Sequence, residues 1–133
     1  MLTRRAFAAC ALCAAGGFLA TGVEAQNAPT GLKRTLLKQT DGPVDGYVTV
    51  EMRVDIDPGA TVARHTHPGI ESGYLVEGGI ELSVDGEETR SLGPGDGFQV
   101  PTRVVHGGKN GAAKTVIVST YVVEKGKPLA SPA

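Results

Sequence analysis

Tryptophan is absent from these 133 residues, and phenylalanine and tyrosine number three each. So few rings exclude a surface built on base stacking. An excess of positive charge is lacking too: the formal net charge is −1, without the basic footprint that nucleic acid or an anionic membrane surface attracts. Cysteine occurs only at Cys10 and Cys13, inside the first 25 residues. The chain beyond Ala25 therefore has no disulfides and relies on packing and bound groups for stability. Helical periodicity is also missing, since no segment of ten residues past the N-terminal stretch repeats at 3.6. Histidine is scarce as well, limited to His65, His67 and His106.

Glycine and proline, by contrast, are abundant at 19 and 8 residues. That load suits many tight turns between short strands. Hydrophobic residues at 41% and charged residues at 20% are ordinary for one globular domain of this length.

Residues 1–25 read as an export signal. Arg4 and Arg5 precede an apolar run from Ala6 to Ala20, and Val23-Glu24-Ala25 forms a small-residue cleavage site. Thr3-Arg4-Arg5-Ala6-Phe7 resembles the twin-arginine signal core, with a general secretory signal as the alternative. The run is shorter than the roughly 20 residues a spanning helix needs, so no stable membrane anchor is expected. Cys10 and Cys13 have metal-binding or redox spacing but lie within this apolar run and leave with it. Processing near Ala25 places the mature protein in the periplasm or outside the cell.

Residues 26–46 form a polar lead-in and a first strand near Leu32–Thr40, closed by Asp41-Gly42-Pro43 and Asp45-Gly46. The body runs from 47 to 123. Tyr47–Ile56 alternates strictly, with Val48, Val50, Met52, Val54 and Ile56 on one face. Further strands are expected near Thr61–His67, Glu71–Glu77, Ile80–Val84, Thr89–Leu92, Phe98–Val100, Val104–Gly107 and Lys114–Val123. Asp85-Gly86 carries the signature of a two-residue hairpin turn. The tail from 124 to 133, with Pro128 and Pro132, reads as extended or disordered. Short strands with turns every 8–12 residues indicate an all-β sandwich or barrel.

Within that body, Gly59 to Gly78 concentrates the chemistry. Residues two apart on a strand share a face, so His65 and His67 aim two imidazoles into one interior. Pro68-Gly69 reads as a turn, and Glu71 on the returning strand brings a carboxylate to the same place. Two neutral imidazoles and one carboxylate are three ligands for a borderline divalent metal.

The spacing carries a resemblance. Gly59, five residues, His65-x-His67, three residues, Glu71, six residues and Gly78 match the first cupin motif. Gly95, five residues, Pro101, then His106, three residues and Asn110 match the second. One position departs from the pattern: Arg103 stands where the second motif has glycine. If that position needs positive φ, a side chain there costs about 1 kcal/mol. A slightly altered turn is then expected, with Arg103 a solvated surface residue or a guanidinium near the mouth of the site.

The chain thus resembles small single-domain bacterial cupins. The resemblance implies a small β-barrel of the jelly-roll or double-stranded β-helix type, with its site inside. It implies one divalent transition metal (Fe, Mn, Ni, Zn, Co or Cu) held by His65, His67, Glu71 and His106, with coordination positions left for water or substrate. It also implies homodimers, with the strand near Leu32–Lys38 joining a partner's sheet. Candidates for tuning the ligands are Gln99, Tyr74 and Arg64, and for the walls Val62, Ile70, Leu75, Phe98 and Val100. Asn110 is assigned to a turn. The expected function is a metal-dependent enzyme, dioxygenase-like or isomerase/lyase-like, on a small organic substrate. The alternative is a non-catalytic module that binds or senses a small ligand or metal.

Overall fold

The computed structural model describes residues 31–133. The N-terminal signal and the first lead-in residues lie outside them. Ten strands follow in order: β1 Leu32–Asp41, β2 Tyr47–Ile56, β3 Thr61–Thr66, β4 Gly69–Glu77, β5 Ile80–Val84, β6 Arg90–Leu92, β7 Gly97–Val100, β8 His106–Asn110, β9 Thr115–Glu124 and β10 Ser131–Pro132. No helix occurs among the described residues. One sheet has the order β1-β2-β9-β4-β7 and the other β10-β3-β8-β5-β6, all antiparallel.

The core lies between the two sheets, because each strand turns its alternate apolar positions inward. From β2 come Val54 and Ile56, from β4 Leu75, from β5 Ile80, Leu82 and Val84, and from β7 Phe98 and Val100. Leu75 is fully buried; such a side chain contributes about 2 kcal/mol. Ile70 was expected on the cavity wall, but it is 46% exposed. Strict alternation explains the difference: Glu71 faces inward on β4, so its neighbour must face out.

Pro68-Gly69 differs from the expected reversal in a way that matters for the site. β3 and β4 do not pair; the chain crosses there from one sheet to the facing one. Glu71 thus approaches His65 and His67 from across the barrel. Gly69 makes the crossing fit, since a Cβ there would lie 1.9 Å from the Val122 carbonyl oxygen on β9. Asp85-Gly86 does turn, with the Glu87 amide donating to the Val84 carbonyl, but pairing resumes only at Arg90.

Asn110 knits the base of the barrel. Buried at the end of β8, its Nδ2 lies 3.1, 2.7 and 3.0 Å from the carbonyl oxygens of Ile56, Asp57 and Ala113. Its Oδ1 accepts from the Thr115 hydroxyl at 2.6 Å. The residue expected to serve a turn thus sits at the end of β8, with a side chain that joins two backbone segments, 56–57 and 113. Asn110→Ala is expected to cost about 3 kcal/mol, because it strands several buried polar partners. Urea denaturation measures this directly; a loss below about 1 kcal/mol would contradict it.

Candidate metal centre

His65 is the last residue but one of β3, His67 follows the strand, and His106 opens β8, directly opposite His65 in the register. The ligand-capable nitrogens of all three lie within 4.8 Å of one another. Glu71 joins them from β4. Its Oε2 is 3.0 Å from His67 Nε2 and 3.2 Å from His106 Nε2, while the Nε2 atoms of His65 and His67 are 3.2 Å apart.

The tautomers follow from the other ring nitrogen. In each ring Nδ1 faces a backbone carbonyl, which can only accept. His65 donates to Ala63 at 2.7 Å, His67 to Leu129 at 2.5 Å and His106 to Val104 at 3.0 Å. Three Nε2 lone pairs and one carboxylate oxygen therefore converge. No hydrogen remains on the neutral rings to bridge them. Such a donor set calls for a cation. Donors about 2.1 Å from a shared octahedral ion lie about 3.0 Å apart when adjacent, which the observed separations match. The residues fit a metal ion.

The electrostatics favour the same state. Burial pushes the His65 imidazole down to about 4, keeping it neutral and free to coordinate. Burial pushes the Glu71 carboxyl up, but the polar groups packed around it, His106 and His67 foremost and Ser119 behind them, outweigh it and hold the group below its ordinary range. Glu71 Oε1, turned away from the histidines, accepts from Ser119 Oγ at 2.8 Å and from the Tyr121 hydroxyl at 2.9 Å. Burial, with the Glu71 charge beside it, pushes the Tyr121 hydroxyl well up, so it stays a donor. The nearby Arg34 guanidinium acts in the opposite sense on Tyr121.

The cupin domain model matches residues 52–124. The chain belongs to the cupin family. Among solved structures, this cupin is similar to an RmlC-like cupin from Shewanella frigidimarina, with 28% identity and a TM-score of 0.60 over 72% of this chain and 79% of the other. It is similar to KdgF from Halomonas sp. at 25% identity and a TM-score of 0.63, covering 76% and 86%. It shares its fold with the DMSP lyase DddQ from Ruegeria pomeroyi, at 20% identity and a TM-score of 0.67 over 77% and 52%. No curated protein matches the chain.

The positions expected to tune the ligands lie elsewhere in this cupin. Tyr74 is 53% exposed, on the outer face of β4. Gln99 is exposed and donates to Ser72 Oγ, and Arg64 is exposed and pairs with Asp85. Tyr74 and Gln99 alternate with inward neighbours and so point out, whereas Arg64 lies, with the exposed Ala63, in the register shift between Val62 and His65. The groups that orient the four converging donor side chains are instead Ser119, Tyr121 and three carbonyls. Inward alternation on β9 was the available signal for Ser119 and Tyr121, and the carbonyls carried none.

Arg103 is the one non-glycine among the described residues at positive φ, 62°. The backbone at this position is left-handed, and it accommodates a side chain. Its amide donates to the His67 carbonyl at 3.0 Å, and its guanidinium pairs with Glu124 at 2.8 Å. The backbone strain is therefore spent beside a histidine of the centre.

Proposed function

We propose that this cupin is an exported, metal-dependent enzyme acting on a small organic substrate, with His65, His67, Glu71 and His106 as the ligands of one divalent transition metal. The observation that carries this reading is the convergence of four lone-pair donors on one point of the barrel interior. An ion held there would act as a Lewis acid or redox centre. Export rests on the signal-like residues 1–25, and the periplasm is the proposed compartment.

The remaining roles belong to the chain's own residues. The carbonyls of Ala63, Leu129 and Val104 keep each Nε2 free of a proton. Ser119 and Tyr121 fix the Glu71 carboxylate and take up its second oxygen. Val54, Ile56, Val62, Phe98 and Ile117 line the cavity and exclude water from the substrate side. Pairing of two chains along β1 is part of this proposal. Nine of its ten residues are exposed, Leu36 and Leu37 among them, on a free sheet edge.

The test starts with elemental analysis of the exported protein purified without added metal. Near-stoichiometric iron, manganese, nickel, cobalt, copper or zinc is expected. Loaded protein should turn over at least one member of a library of small organic substrates, and chelation should abolish this. An oxygen electrode then separates oxidative from non-oxidative chemistry. Absence of bound metal would sink the reading; full loading without turnover would move it to a binding module.

A further inference from the structure

One charged side chain on the cavity wall has no part in the ligand set. Arg34 lines the same cavity as His65, Glu71 and His106. It belongs to β1, where the register sets Leu32 opposite Ile56, Arg34 opposite Val54 and Leu36 opposite Met52. Residues directly opposite in an antiparallel pair share a face. Ile56 and Val54 are buried core residues, so Arg34 stands in the inward row, beside the buried Leu32. Its neighbours Lys33 and Thr35 take the outer face, opposite Asp55 and Arg53. No carboxylate among the described residues forms an ion pair with Arg34, whereas Arg53, Arg64 and Arg103 each have one.

We infer that Arg34 is the anion-binding residue of this cavity, and that the ligand is a small carboxylate with a short apolar body. The inference rests on the metal-site reading above and names its substrate class. Three observations carry it. First, Glu71 is the one carboxylate on the wall, so a divalent ion held there would leave a net positive centre, and Arg34 would add to it. Second, every other lining side chain outside the ligand set and its Ser119 and Tyr121 partners is apolar, including Val54, Val62, Leu82, Phe98 and Ile117. Third, the cavity volume is about 50 Å³, far below the roughly 300–1,000 Å³ of pockets for drug-sized ligands. A guanidinium fork recognises a planar carboxylate through two parallel hydrogen bonds, and the apolar wall takes up the carbon chain.

The experiment compares wild type with Arg34→Gln and Arg34→Lys, each loaded with cobalt and checked for metal content and melting temperature. The probes are acetate, butanoate and the neutral butanamide, titrated calorimetrically. Wild type is expected to bind butanoate at least tenfold more tightly than butanamide. Arg34→Gln should lose about 10–100-fold of butanoate affinity and leave butanamide binding unchanged. Arg34→Lys should keep part of the preference, because it keeps the charge. Equal butanoate binding by wild type and Arg34→Gln would overturn the inference, as would equal binding of acid and amide, or no carboxylate binding to loaded wild type. Inorganic phosphate binding more tightly than butanoate would overturn the ligand class. Failure of wild type to take up cobalt would be a failure of the metal-site reading, seen before any anion is added. Because Arg34 is exposed on an edge strand, both variants should melt like wild type.

Discussion

Replacing His106 by alanine is expected to lower transition-metal affinity by more than about 100-fold. Loss of a group that merely orients a ligand costs about 10–100-fold, and His106 supplies a donor atom itself. The effect on stability follows by linkage. A 100-fold loss of affinity removes about 2.7 kcal/mol of metal-dependent stabilisation when metal is in excess. In a domain of this size that is a fall of about 10–20 °C in the melting temperature of the loaded protein. The metal-free proteins provide the control. There, His106→Ala removes a ring whose Nε2 lone pair faces the Glu71 carboxylate, and so relieves the site. The difference between loaded and metal-free melting temperatures should therefore shrink much more than the metal-free value falls. Glu71→Gln probes the carboxylate in the same way. It keeps the volume and the Ser119 and Tyr121 contacts but removes the charge, and should fall between wild type and His106→Ala. Metal occupancy and metal-induced stabilisation equal to wild type in His106→Ala would reject the ligand assignment.

The parts of this site that could be read from the chain are those set by spacing along one or two strands. His65-x-His67 declares a shared direction because the strand period is two, and β2 announced its inward face through Val50, Val54 and Ile56 for the same reason. The family motifs then supplied His106, whose place opposite His65 depends on a register that no local pattern encodes. What spacing could not supply is which sheet a strand joins. Pro68-Gly69 signals a change of direction but cannot say whether the chain returns beside β3 or crosses the barrel. That choice is fixed by the fit of Gly69 against Val122. The support of Glu71 was hidden for a related reason. Ser119 and Tyr121 lie 48 and 50 residues downstream, on β9, whose inner row is buried and whose outer row is mostly half-buried. Its sequence is apolar on both rows, with Val116, Val118 and Val122 opposite Ile117 and Val123, which weakens the alternation that would single out its inward polar members. Arg34 was silent because a cation on a loosely alternating edge strand is a common guard against aggregation. Only the pairing with Val54 shows that it faces in.

The C-terminal tail yields the second large effect. Of the two states expected for residues 124–133, extended or disordered, the end of the tail takes the extended one: Ser131 and Pro132 form β10 and pair with Thr66 and His65. The Ala133 amide donates to the Arg64 carbonyl, so the tail covers the edge of the strand that carries His65. Pro132 suits this place, since an edge strand tolerates a residue with no amide to donate. Leu129 contributes at both ends of the centre. Its carbonyl takes the His67 Nδ1 proton, and its side chain packs against Val50, Tyr121 and Val123, the cluster that holds the Glu71 donor. Deleting Pro128–Ala133 therefore removes the acceptor that sets the His67 tautomer and loosens the packing of Tyr121. Metal affinity is expected to fall about 10–100-fold, the range for lost partners of metal ligands. The amides of β3 should exchange with solvent faster once β10 is gone, on metal-free and loaded protein alike. Leu129→Ala separates the two contributions: it keeps the carbonyl and loses the packing, so it should lower stability by about 2–3 kcal/mol while retaining most of the affinity. A truncated protein that binds metal as tightly as the full chain would show that solvent or another acceptor replaces Leu129. The tail would then be only a cover for the sheet edge.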